Sequence, residues 1–174
     1  MSLMGGKIIF LNRSDINTDE IIPAKYLTEV DKKALAPYIL EDLKLEGFNP
    51  QAKEVTQSKV VVSRSNFGCG SSREHAVWVF TENNYQVIIA ENFARIFRQN
   101  AYNSGLLAIE LSKNQIDEIF NAYQEDHQIE ILVDLEKQTL EVKNSKKSFT
   151  LPFDISPFYK DVVKAGGWIN YASK

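Results

Sequence analysis

The most constraining feature of this sequence is a strand–turn–helix–strand run over residues 59–90. Lys59 to Ser63 (KVVVS) is β-branched and apolar, Gln86 to Ala90 (QVIIA) repeats that character, and a helical pattern separates them. A strand, a helix and a second strand at this spacing form a βαβ crossover, which makes the two strands parallel neighbours. The rest of the chain continues the alternation of short apolar runs with helical patterns, the mark of an α/β domain. Lys7 to Leu11 (KIIFL) reads as a first strand and Leu106 to Leu111 as another, with a helix before the latter that sets Phe93, Ile96, Phe97 and Ala101 on one face. Asp31 to Leu43 reads as a helix capped by Asp31, in which Pro37 forces a kink or a break. Residues 46–58 are polar, contain Gly47 and Pro50, and are expected to be the flexible segment.

Further on, Ser112-x-x-Gln115 is a capping box that opens a helix through Tyr123, with Ile116, Ile119 and Phe120 inward. Ile129 to Asp134 and Thr139 to Lys143 read as an antiparallel hairpin, and Ser156-Pro157 starts a last helix that stops at Gly166. The sheet is therefore mixed. At 174 residues the chain is one domain, expected to span residues 4–174, with Met1-Ser2-Leu3 ahead of Met4 set aside as a cloning remnant. A net charge of −3 gives no electrostatic footprint for nucleic acid or an acidic membrane. The single cysteine excludes a disulfide framework and any self-contained zinc or iron–sulfur site built from thiolates. No apolar stretch approaches the ~18 to 20 residues of a membrane span and no signal peptide is recognisable, so a soluble, cytoplasmic protein is expected.

Chemistry is expected in the segment Asn66-Phe67-Gly68-Cys69-Gly70-Ser71-Ser72-Arg73-Glu74-His75. It lies between the end of a strand and the start of a helix, where open α/β sheets bind ligands. Ser71 and Glu74 have capping-box spacing, which makes Ser71 the expected N-cap. The free N–H groups of a first helical turn and Arg73 would together form a carboxylate or phosphate site. Gly68 and Gly70 allow a tight turn and a close approach of ligand to backbone. The segment is neither a P-loop, which needs a lysine after the glycine, nor a Gly-x-Ser-x-Gly nucleophile elbow. Cys69 reads as a small buried thiol rather than a nucleophile paired with His75, and His127 as a solvated side chain.

The same segment, extended to Ala76, resembles the signature of the isopropylmalate dehydratase small subunits, free-standing counterparts of the swivelling domain of aconitase. Two further blocks resemble that family in the same order. One is Asn17-Thr18-Asp19-Glu20-Ile21-Ile22-Pro23-Ala24-Lys25-Tyr26-Leu27. The other is Ala90-Glu91-Asn92-Phe93-Ala94-Arg95-Ile96-Phe97, continuing to Asn100, Asn103 and Gly105-Leu106-Leu107. Beyond residue 112 the likeness is only general. Val77 and Ala108 stand where family members usually carry proline, which bears on the subfamily rather than on the chemistry.

The resemblance implies an α/β fold of three β/β/α layers with a mixed sheet, like the C-terminal swivelling domain of aconitase. It implies a hydro-lyase, a 3-isopropylmalate dehydratase active only with its large subunit, that interconverts 2- and 3-isopropylmalate by dehydration and rehydration in leucine biosynthesis. No cofactor is expected in this chain; a [4Fe-4S] cluster is expected in the large-subunit partner, and no metal site here. Ser71 is implied as the base that takes a proton from carbon, Arg73 as the residue that grips a substrate carboxylate, and Asp19 as an orienting residue. Ser72 would add a donor to the same carboxylate, and Tyr26, Leu27 and Thr28 belong to the loop expected to sense the variable group of the substrate. Homoaconitase or a related 2-hydroxy acid hydratase uses the same chemistry on a tricarboxylic acid. A non-catalytic carboxylate-binding regulatory domain would need only a cap at position 71, which Asp or Asn also provides.

Overall fold

The computed structural model describes residues 3–174, which form one seven-stranded mixed sheet with helices around it. The chain begins with β1 (Leu3–Leu11), continues through three short helices, α1 (Thr18–Ile21), α2 (Lys32–Leu35) and α3 (Lys53–Gln57), and enters β2 (Val60–Ser63). Then α4 (His75–Glu82), β3 (Val87–Ala90), α5 (Arg95–Asn103) and β4 (Leu107–Glu110) complete two successive crossovers. After α6 (Lys113–Glu125) come β5 (Glu130–Asp134), β6 (Thr139–Lys143) and β7 (Ser148–Pro152), followed by α7 (Pro157–Lys164) and α8 (Trp168–Ala172). The strand order is β4-β3-β2-β1-β5-β6-β7.

The sheet is built from two halves that share β1. Ile8 to Leu11 pair in parallel with Val60 to Ser63 of β2, and β2, β3 and β4 are parallel to one another. Leu3 to Lys7 instead pair antiparallel with β5, which leads to the antiparallel β6 and β7. β2 and β3 are buried at every position, as a strand covered on both faces must be, whereas β6 alternates buried Leu140 and Val142 with less buried neighbours. Apolar residues of both halves, such as Val61, Ile88, Val133 and Leu140, belong to one continuous core. The architecture is the expected α/β fold with a mixed sheet.

Several local expectations are met in detail. Ser112 and Gln115 make the reciprocal capping box, and Ser156 accepts from the Tyr159 N–H ahead of Pro157. Asp31 caps α2, but the helix expected to reach Leu43 stops at Leu35 and tightens into a 3₁₀ turn over Ala36–Tyr38. Pro37 lacks the N–H that would continue the α-helical ladder. Residues 53–57 of the polar stretch form α3, pinned by buried Val55. Strand β7 and helix α8 were not expected, because Ser148–Pro152 contains a proline and polar residues and Trp168–Ala172 is only one turn long.

Candidate active site

The site lies where the loops that follow β1, β2 and β3 meet at the carboxyl ends of three adjacent parallel strands. The first two loops are stitched together by their backbones. The Gly68 N–H donates to the Ile16 carbonyl at 2.8 Å, and the Thr18 N–H to the Cys69 carbonyl at 2.9 Å. The Thr18 hydroxyl, itself buried, donates to the Ser71 carbonyl at 3.0 Å. The third loop joins through Phe67, whose N–H donates to the Asn92 carbonyl and whose carbonyl accepts from the Ala94 N–H.

This stitching overturns one local expectation. Ser71 is not an N-cap and forms no capping box with Glu74; α4 begins four residues later, with Glu74 in the cap position and no side-chain hydrogen bond there. The backbone from 68 to 71 is committed to Ile16 and Thr18, so the chain cannot turn into a helix before Arg73. Ser71 and Ser72 are consequently exposed on a non-helical crest. Among the described residues the Ser71 hydroxyl makes no hydrogen bond, which leaves it free to meet a ligand.

Asn17 folds the opposite loop into α1 through a reciprocal capping box with Glu20, and Glu20 is held in turn by Arg13. The short helix presents Asp19 to Arg73, and the two form an ion pair. The Arg73 side chain is 16% exposed and that of Asp19 63%, so the guanidinium is fixed while the carboxylate meets solvent. Two of the residues expected in catalysis, Asp19 and Arg73, are therefore in contact, beside Ser71 and Ser72.

Ser71, Ser72 and Arg73 line a cavity of about 120 Å³, and Asp19 reaches it only through its contact with Arg73. One wall is Thr18 with Gly68, Gly70, Ser71, Ser72 and Arg73; the other is the first turn of α5, from Ala94 to Phe97. Gly68 makes this closeness possible. Its φ is +81°, and a Cβ there would fall 2.3 Å from Phe97 Cγ. The α5 wall was not predicted as part of the site. The spacing sets Ile96 on one face with Phe97 and Ala101, but Ile96 is 38% exposed while Phe97 and Ala101 are buried. The available signal was that Ala94-Arg95-Ile96 follows a strand on the same sheet edge as the other two loops.

The loop expected to sense the variable group of the substrate does not line this cavity. Tyr26 stacks on Tyr38 with ring centroids 4.0 Å apart and donates its hydroxyl to Glu41. Burial, with the Glu41 hydrogen bond and charge behind it, pushes its phenol up to about 12. Leu27 is half-buried and Thr28 exposed, and the loop is tied to α4 where His75 Nε2 lies 3.1 Å from the Glu29 carbonyl oxygen. His75 also packs on Trp78, so its contacts lie away from Cys69. Burial, reinforced by the Asp15 carboxylate, pushes the Cys69 thiol up, which disfavours the thiolate a nucleophile needs. His127 packs on Tyr123. Among the described residues no group of three His, Cys, Asp or Glu side chains could hold a metal ion, and no helix is long and apolar enough to cross a membrane.

Comparison with known proteins gives a consistent result. The aconitase C-terminal domain family matches residues 6–114. The 3-isopropylmalate dehydratase small subunit of Deinococcus deserti is 42% identical over 160 residues, which cover 91% of this chain and 81% of that protein. The protein of the same name from Francisella philomiragia is 41% identical over 155 residues, 88% of this chain and 79% of that one. Among solved structures, a 3-isopropylmalate dehydratase from Methanocaldococcus jannaschii superposes with a TM-score of 0.78 at 31% identity, covering 99% of this chain and 94% of the other.

Proposed function

The chain belongs to the aconitase C-terminal domain family, and from that premise we propose that it is the small subunit of a 3-isopropylmalate dehydratase, a hydro-lyase completed by a separate large subunit. In this reading residues 4–174 act as one swivel-type unit that delivers a base and a carboxylate clamp to a substrate held between the two subunits. The observation that carries it is the juxtaposition on one cavity wall of exposed Ser71 with Arg73, which Asp19 holds from outside that wall. The [4Fe-4S] cluster that the resemblance implies has no ligand set here, because the chain has one cysteine and its partly buried thiol is alone. Any such cluster must be held by the partner.

Within the chain, the Ser71 oxygen is assigned the proton of the substrate carbon. An unassisted serine hydroxyl is far too weak a base, so its alkoxide needs positive potential beside it. With α4 starting at His75, the positive group nearest in the chain is the Arg73 guanidinium, not the end of a helix. Arg73 also offers a planar fork that matches a carboxylate with two parallel hydrogen bonds. Asp19 holds that fork in place from the side open to solvent, and Ser72 supplies a further donor. Tyr26, Leu27 and Thr28 would reach the substrate only from outside the cavity, at the rim facing the large subunit.

The test is co-expression with an iron–sulfur large subunit under anaerobic conditions, followed by a hydratase assay on 3-isopropylmalate. Activity is expected only when both chains are present. Ser71→Ala is expected to abolish turnover while the complex still assembles; retained turnover would remove Ser71 from the mechanism. A preference for a tricarboxylic acid over isopropylmalate would move the protein to the homoaconitase branch.

A further inference from the structure

We propose that Arg95 is a second carboxylate-binding residue of the same cavity, holding the substrate carboxylate that Arg73 does not. This rests on the reading of the site as a hydro-lyase centre. The chain has five arginines. Four are paired: Arg13 with Glu20, Arg64 with Asp117, Arg73 with Asp19 and Arg98 with Glu110. Among the described residues Arg95 alone has neither an ion-pair partner nor a side-chain hydrogen bond. It is also exposed, and it lines the wall opposite Ser71 and Arg73.

The charge arithmetic points the same way. Asp19 already offsets the charge of Arg73, so on this chain's side of the site the Arg73 wall alone offers little net positive charge to a dicarboxylate. Arg95 supplies a second cation from this chain, on the α5 wall of the cavity. Its neighbours Ala94, Ile96 and Phe97 make the rest of that wall apolar, which suits the alkyl arm of an alkylmalate and strengthens a charge-assisted hydrogen bond by excluding water. Arg95 also faces a neighbouring cavity of about 410 Å³ shared with Arg98, Gln99, Tyr102 and Tyr159. In that space Arg98 is held by Glu110 and the Tyr102 hydroxyl by the Ala108 carbonyl, so of the two cations there Arg95 is the one without a partner.

The experiment uses the assembled complex with the large subunit. Arg95→Gln is expected to raise KM for 3-isopropylmalate by roughly ten- to a hundredfold, the loss of a hydrogen-bonded charge pair, with a much smaller change in kcat. Arg95→Lys should recover part of the loss. A monoester blocked at one substrate carboxylate should be a poorer substrate than the diacid for the wild type but not for Arg95→Gln, a difference that a merely structural role would not produce. Calorimetric binding of succinate to the complex should weaken in Arg95→Gln and not in Ser71→Ala. If the wild-type complex binds succinate through Arg95 yet does not turn over isopropylmalate, the hydro-lyase reading fails and the carboxylate assignment stands. An unchanged KM with unchanged succinate affinity overturns the proposal. So does loss of co-elution with the large subunit, which would make Arg95 a docking residue.

Discussion

Gly68 is the point at which the two walls of the cavity touch, and Gly68→Ala tests whether that contact holds the site together. Two costs add. At φ +81° an alanine sits in left-handed space, a penalty of about 1–2 kcal/mol. Its Cβ would also lie 2.3 Å from Phe97 Cγ, 2.6 Å from Phe97 Cβ and 2.7 Å from Phe97 Cδ2. Those atoms are the base of the side chain rather than a flexible end. Phe97 is nearly fully buried, with its ring edge-on to Phe67 at 5.5 Å and stacked over Phe93 at 6.2 Å, so it cannot swing away. Overpacking of that kind costs about 1–3 kcal/mol. The sum is about 2–5 kcal/mol, which for a chain of this length lowers Tm by roughly 4–20 °C. Gly47→Ala is the control, because its φ is +76° but nothing lies within 4 Å of the added methyl. Thermal and urea unfolding of the two variants should separate the steric part from the backbone part. Equal destabilisation of both would refute the claim that Phe97 is immovable, and with it the claim that Gly68 sets the distance between the walls.

Arg73→Lys in the assembled complex is expected to raise KM for 3-isopropylmalate by roughly tenfold or more, since a point charge cannot copy a bidentate fork; an unchanged KM would make Arg73 structural. Asp19→Asn should lower kcat/KM while moving Tm little, because a pair with one largely exposed partner contributes only about 0–1 kcal/mol to stability; a large drop in Tm would instead make the pair a structural clamp. Alkaline titration followed by phenolate absorbance should find Tyr26 and Tyr102 ionising near 12 rather than near 10. Their folded-state pKa values are raised, so the stability they contribute is complete below about pH 10 and is lost as pH rises through 12. Tyr26→Phe should remove one of the late-titrating groups, and no change in the titration would contradict the Tyr26–Glu41 contact.

What was legible in the sequence followed from signals with a local cause. The β-branched runs at 60–63 and 87–90, the capping box at Ser112 and the Ser156-Pro157 start each depend on neighbours a few residues away, and each is found where expected. The misreadings have the opposite origin. Ser71 and Glu74 have capping-box spacing, but the Ser71 carbonyl is taken by Thr18, fifty-three residues earlier in the chain. Ile96 has the right spacing for an inward face, but the cavity opens on that side of α5 and leaves it exposed. The pairing of Asp19 with Arg73 joins residues fifty-four apart and has no local signature, so motifs could name both residues without showing that they meet.

The topology explains why three separated motifs make one site. In a parallel sheet, loops that follow adjacent strands leave from the same edge, so the loops after β1, β2 and β3 converge without any further device. Residues 12–18, 64–74 and 91–97 are those loops together with the turns that follow them. Antiparallel strands send consecutive connections to opposite edges, so β5, β6 and β7 cannot add a fourth loop to the same cluster in this way. β1 belongs to both halves, and the change of partner between Lys7 and Ile8 confines the chemistry to one side of it. The antiparallel half instead contributes buried residues such as Ile131 and Val133 to the common core, extending the platform under β1 from which the first loop departs. A substitution that loosens the β1–β5 ladder is therefore expected to act on the site only through stability, whereas one that loosens Gly68, Thr18 or Phe67 alters the distance between the walls directly.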